Sequence, residues 1–169
     1  PAETHFKQAI ALKSDYTLAR LNYARLLCAR EPIRTAEGES EFQKIADNQA
    51  NSGATASDAY AGLGLCARRR NDPAQAEIWL RKALDQNPNN AIALYEMAEL
   101  SQIQGKALPA RAFLQRYHSQ SRPNPQSLWL GFTIESAADG DPLMRREYSS
   151  ILSSQFPNSE EAQRISKPK

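Results

Sequence analysis

The sequence holds 169 residues, 41% of them hydrophobic and 24% charged, the balance of an ordinary globular chain. Lys and Arg number 21 against 19 Asp and Glu, and the net charge of +2 is too small to argue for nucleic acid or an anionic membrane as partner. Nowhere do roughly 18 apolar residues run together, so no segment reads as a transmembrane helix.

In chain order, Ala2, Phe6, Ala9 and Leu12 fall at helical spacing, and Lys13 to Tyr16 makes a turn. A lone amphipathic helix of this length cannot bury its apolar stripe, so it reads as the second helix of a pair and Pro1 as a truncation point. Thr17 to Arg30 is the next helix, with Leu21, Tyr23, Ala24 and Leu27 facing its partner. That partner, residues 36–48, places Gly38, Phe42 and Ile45 in its small, large and third core positions, with about two extra residues in the loop through Pro32 and Arg34. Glu37, Glu39 and Glu41 read as a solvated loop and helix start. The polar stretch from Asp47 to Ala56 reads as a long connection.

Ser57 to Asn90 is the clearest unit. Tyr60, Leu63, Gly64 and Ala67 lie on one helix and Ala76, Leu80 and Ala83 on a second, with Pro88 closing the unit. Small Gly64, Ala76 and Ala83 let two antiparallel helices approach, while Tyr60, Leu63, Leu80 and Leu84 fill the seam. Asn71, Asp72 and Pro73 form the turn, Asp72 as N-cap and Pro73 at the first helical position. This spacing resembles the tetratricopeptide repeat of roughly 34 residues.

The same pattern returns over residues 91–124 with Leu94, Met97, Ala98, Ala110, Leu114 and Tyr117. It loosens from Pro125, where Leu128, Leu130, Gly131 and Ile134 make one helix, Asp139 to Pro142 a turn, and Met144, Tyr148, Ile151 and Phe156 a second helix. A polar tail is expected from Pro157 to Lys169. The reading is therefore an all-α chain, one tetratricopeptide solenoid of right-handed superhelical form over 1–169. Its parts are a truncated repeat (1–16), a repeat with longer loops (17–56), two regular repeats (57–90 and 91–124) and a degenerate repeat with cap (125–169).

No motif carries chemistry. Gly62, Gly64 and Ala67 mimic a dinucleotide fingerprint, but they lie inside a helix and lack the strand and downstream acid that the motif needs. His5 and His118 stand far apart with no ligand at metal spacing, so no metal, cofactor or catalytic residue is assigned and the chain is not expected to be an enzyme. What remains is surface. In stacked helical pairs the first helices line a concave face, here Leu21, Arg25 and Ala29, then Ala61, Leu65, Arg68 and Arg69, then Tyr95, Glu99 and Gln102, then Trp129 and Thr133. Aromatic and arginine side chains are the types enriched at binding hot spots, which makes Arg25, Leu65, Arg68, Arg69, Tyr95, Glu99 and Trp129 the candidate partner-binding residues. The bland alternative reads Arg68, Arg69 and Arg70 as a solvated helix end and Trp129 as core.

Three segments, Asn22 to Cys28, Leu63 to Cys66 and Ser127 to Gly131, together with the close Phe156 to Glu161, resemble the tetratricopeptide pilotins of type IV pilus assembly, the PilF/PilW family. That resemblance implies a non-catalytic scaffold that helps the outer-membrane secretin of the pilus assemble and binds it or another pilus-assembly component. It also implies a periplasmic location, and a lipid anchor upstream of Pro1 that leaves this chain soluble and monomeric. The alternative is a cytosolic tetratricopeptide adaptor binding acidic peptide segments through Arg25, Arg68 and Arg69. Cys28 and Cys66 lie on the first helices of adjacent repeats, either as one bridge or as two buried thiols. The periplasmic resemblance implies the bridge.

Overall fold

A computed structural model describes residues 2–13, 16–30, 34–48 and 50–166. These form ten helices: α1 (Ala2–Leu12), α2 (Thr17–Arg30), α3 (Thr35–Ala46), α4 (Ala54–Arg69), α5 (Pro73–Gln86), α6 (Ala91–Ile103), α7 (Ala107–Gln120), α8 (Pro125–Ile134), α9 (Pro142–Gln155) and α10 (Glu160–Ser166). No described residue is in a strand, and no helix among them is long and apolar enough to cross a membrane. The helices group into two compact units, Pro1–Glu96 and Met97–Lys169, with the boundary inside α6.

In the first unit α1 packs on α2, α2 on α3, α3 on α4 and α4 on α5. Its core joins Leu21, Ala24 and Cys28 of α2, Phe42 and Ile45 of α3, and Ala59, Leu63 and Cys66 of α4, with Tyr60 and Trp79 packed against it. A Cβ added to Gly64 would come within 2.7 Å of the Leu80 side chain, which is why only glycine lets α4 and α5 approach this closely. Asn71 takes a φ of 64°, a left-handed value that Asn tolerates, and the Asp72 carboxylate accepts from the Gln75 N–H at 3.0 Å with Pro73 opening α5. The turn forms as its residues predict.

Three expectations need correction. Residues 54–56 of the polar connection belong to α4, which starts at Ala54 after Gly53 turns the chain at a φ of 57°. Ala56 is buried, so a short apolar side chain extends the helix. Glu37, Glu39 and Glu41 sit within α3 rather than on a loop, each held by a basic side chain: Arg34, Arg70, and both Arg20 and Lys44 respectively. The tail after Pro157 is not simply polar coil, because α10 packs on α8 and α9 and buries Ala162. Glu160 and Glu161 occupy its first turn.

In the second unit α8 pairs with α9. Leu128, Leu152 and Ala162 form the core, flanked by Trp129, Tyr148, Ile151, Phe156 and Ile165. Asn124 and Ser127 close a reciprocal capping box at the start of α8, and Asp141 caps α9 by accepting from the Leu143 N–H at 2.8 Å.

Candidate functional site

Of the seven candidate binding residues, Arg25, Leu65, Arg68, Arg69 and Tyr95 lie in the first unit and Glu99 and Trp129 in the second. Leu65, Tyr95, Glu99 and Trp129 are half-buried. Two other residues assigned to the outward face are core: Leu21 and Ala61 are buried, because α2 and α4 are covered by neighbours on more than one side.

The arginines of the first unit are engaged within it. Arg25 on α2 pairs with Asp58 on α4 at 3.6 Å and donates to Asn22. Arg68 near the end of α4 pairs with Glu96 on α6, and Arg69 donates to the Ala29 carbonyl of α2 at 3.2 Å. Arg70 reaches Glu39 of α3 at 2.9 Å. Arg69 and Arg70 are exposed at the helix end, yet the run is more than a solvated end: each guanidinium reaches a different helix. The adaptor reading loses two of its three anion receptors to carboxylates of the chain itself.

Beside Arg25 lies a polar junction that periodicity alone does not reveal. Asn90 donates to the Ser57 hydroxyl and to the Asp58 carboxylate, both at 2.9 Å, and its carbonyl accepts from the Ala93 N–H. Ser57 in turn donates to the Ala83 carbonyl at 2.8 Å. Ser57 and Asn90 are buried, so each of these bonds replaces one that water would otherwise make. The visible signal was the placement of Ser and Asn at the two ends of the central repeat, residue types that cap helices.

Cys28 and Cys66 are joined in a disulfide, their Cα atoms 5.4 Å apart across the α2–α4 contact. Gly38 of α3 packs on the Cys28 sulfur, where a Cβ would meet it at 2.5 Å. At the other end of the unit Arg34 grips Glu3 through both guanidinium nitrogens at 2.7 and 2.8 Å. Together with Lys7 it holds the Glu3 carboxyl down to about 2, so α1 is tethered to α3 by charge.

In the second unit Trp129 stacks on Phe132 with ring centroids 5.5 Å apart, and the Arg164 guanidinium lies 5.8 Å from the Trp129 centroid. Trp129 thus packs against the core and stays half-buried. Buried Glu135 receives Arg111 at 2.9 Å and the Asp141 N–H at 2.8 Å, fixing the turn into α9. His118 Nε2 lies 3.0 Å from the Ser127 hydroxyl, but this pair is structural: Ser127 is fully buried and its oxygen already serves the capping box. Burial holds His118 below the usual imidazole range. Gly62, Gly64 and Ala67 lie buried within α4, where no nucleotide phosphate can reach their N–H groups. Among the described residues no group of three or more His, Cys, Asp or Glu is arranged to hold a metal.

No family model matches the chain. It is 25% identical over 163 residues to the type IV pilus assembly protein PilF of Pseudomonas aeruginosa, a match covering 96% of this chain and 62% of that protein's length. The crystal structure of PilW, described as a widely conserved type IV pilus biogenesis factor, superposes with a TM-score of 0.76 at 28% identity, covering 96% of this chain and 72% of that one. The structure of P. aeruginosa PilF gives 0.78 at 25%, covering 95% and 70%. A tetratricopeptide repeat protein of Parabacteroides merdae gives 0.71 at 16%, a likeness of fold alone, covering 96% and 61%. The helical repeats are thus tetratricopeptide repeats, and the chain spans less than two thirds of the length of its curated relative.

Proposed function

Because the chain is homologous to PilF and matches PilW and PilF in structure, tetratricopeptide proteins of type IV pilus biogenesis, we propose that it serves type IV pilus assembly as a non-catalytic protein-binding scaffold. Its role is that of a pilotin: it engages the pilus secretin, or another component of the assembly machine, at the periplasmic face of the outer membrane. In this reading the chain acts as a monomer and a lipid anchor upstream of Pro1 supplies the membrane attachment. A single acyl chain anchors only marginally, so attachment uses several chains or the partner itself.

The observation that carries the reading is the match to PilF along 96% of this chain, from the first helix to the last. The Cys28–Cys66 disulfide supports the oxidising compartment, since such bridges persist in the periplasm and are rare in the cytosol. It weighs against the cytosolic adaptor, as does the pairing of Arg25 and Arg68 with the chain's own carboxylates. Partner contact falls to half-buried Leu65 and Tyr95 in the first unit and Glu99 and Trp129 in the second, side chains of the size and type that anchor interfaces.

In a strain deleted for the gene, full-length protein restores surface pili and secretin multimers. A variant carrying Leu65→Ser and Tyr95→Ala folds, as judged by circular dichroism, and restores fewer of both. Normal secretin multimers in the deletion strain sink the pilotin role, while full rescue by the double variant removes this face as the binding surface.

A further inference from the structure

Between Phe132 of α8 and the exposed side of α9 lies an open cavity of about 270 Å³ lined by Phe132, Arg145, Arg146, Ser149, Ser150 and Ser153. Its shape follows from the helix period. Arg145, Ser149 and Ser153 recur every four residues as one stripe, Arg146 and Ser150 run beside them, and the small serines leave a trough that a longer side chain would fill.

The charge in this trough is unsatisfied. Arg20, Arg25, Arg34, Arg68, Arg70, Arg81 and Arg111 each lie on a carboxylate. Arg145 and Arg146 are exposed and have no acceptor among the described residues. They also sit at the fourth and fifth positions of α9, far from the C-terminal turn where the helix dipole favours cations, so the dipole does not explain them.

We infer that this trough binds an acidic peptide segment of a partner protein: one carboxylate side chain is held by the Arg145 and Arg146 guanidiniums, and a neighbouring apolar side chain rests on Phe132. Forked guanidiniums match carboxylates bidentately, serine hydroxyls donate to backbone carbonyls along the trough, and the Phe132 ring, backed by Trp129, offers a flat apolar wall. The cavity is smaller than the roughly 300–1,000 Å³ of small-molecule pockets, which suits side chains of a longer polymer. A bilayer is disfavoured because the stripe along Arg145, Arg146, Ser149, Ser150 and Ser153 is polar, and the exposed Leu143 and Met144 at the start of α9 make only a small apolar patch to insert. This inference is independent of the pilus reading: it concerns purified protein in solution, and either can fail alone.

The test is panning of a random peptide library displayed on phage against the immobilised chain, followed by fluorescence anisotropy of the selected peptides. Sequences rich in Asp or Glu with an adjacent apolar residue are expected. Their affinity is expected to fall roughly tenfold or more in the double variant Arg145→Gln/Arg146→Gln, to fall with added salt, and to fall in Phe132→Ala, which leaves both charges in place. Both arginines are exposed, so circular dichroism should stay unchanged. Amide shifts of the wild-type chain on titration are expected around Phe132 and along Arg145 to Ser153. Selection of peptides with no acidic bias overturns the inference, as does equal binding by the glutamine variant. Binding to phosphatidylglycerol vesicles without any binding to peptide overturns it in favour of a membrane.

Discussion

Two runs of arginine in this chain have opposite fates. Arg68, Arg69 and Arg70 close α4 and are each tied to another helix, through Glu96, the Ala29 carbonyl and Glu39. Arg145 and Arg146 stand near the start of α9, line a trough with Phe132 and three serines, and have no acceptor among the described residues. The dipole at a helix C-terminus already favours the first group, and carboxylates on α3 and α6 complete it, whereas the second group has neither contribution among the described residues. The same residue type therefore stitches helices together in one run and lies without an acceptor among the described residues in the other.

The largest effect that bears on this contrast is the disulfide, since it fixes α4 to α2 beneath the first run. Closing a loop of 38 residues contributes roughly 3–4 kcal/mol in the chain-entropy model. The double variant Cys28→Ser/Cys66→Ser is expected to lower stability by about that amount, and hydrogen exchange should quicken in α2 to α4 before α8 and α9. Intact mass that does not rise on reduction would show that the bridge is absent. Next in size, Gly64→Leu forces a large side chain into Leu80 and is expected to destabilise by about 1–3 kcal/mol in chemical denaturation. A variant with an unchanged midpoint would show that α4 and α5 do not touch there.

Arg68→Ala leaves buried Glu96 without its guanidinium and is expected to lose about 1–3 kcal/mol, while Arg145→Ala is expected to stay within about 0.5 kcal/mol. Equal losses in the two variants would erase the distinction.

The smallest effect is the pH response of the second unit. Burial lowers the proton affinity of His118 in the folded state, so folded and unfolded chains are both neutral there above the ordinary imidazole value of about 6.5. As pH falls below that value the unfolded chain takes up the proton first. Stability should decline until the folded imidazole protonates too. His118→Gln is expected to flatten this slope between pH 7 and the acid range, where titration of Glu3 takes over in the first unit. An unchanged slope in denaturation midpoints would assign the pH response elsewhere.

What the sequence by itself determined is what depends on local spacing. The helix pair around Asn71, Asp72 and Pro73 follows from cap and turn chemistry, and the close approach at Gly64 follows from the repeat pattern of small and large residues. The capping residues at Asn124 and Asp141 bracket α8 and α9 in the same way, and the resemblance to pilus proteins rests on runs of consecutive residues. Only the tertiary structure decided which outward positions stay outward. Leu21 and Ala61 carry the periodicity of an exposed stripe, yet neighbouring helices cover them. Ala54 joins α4 and Ala162 draws the tail into α10, because an apolar side chain gains from burial wherever a partner surface happens to lie. The fates of the arginines belong here too: a guanidinium reads the same in every sequence, and whether it is bound depends on carboxylates that the fold brings from dozens of positions away, as Glu96 is brought to Arg68 and none among the described residues is brought to Arg145.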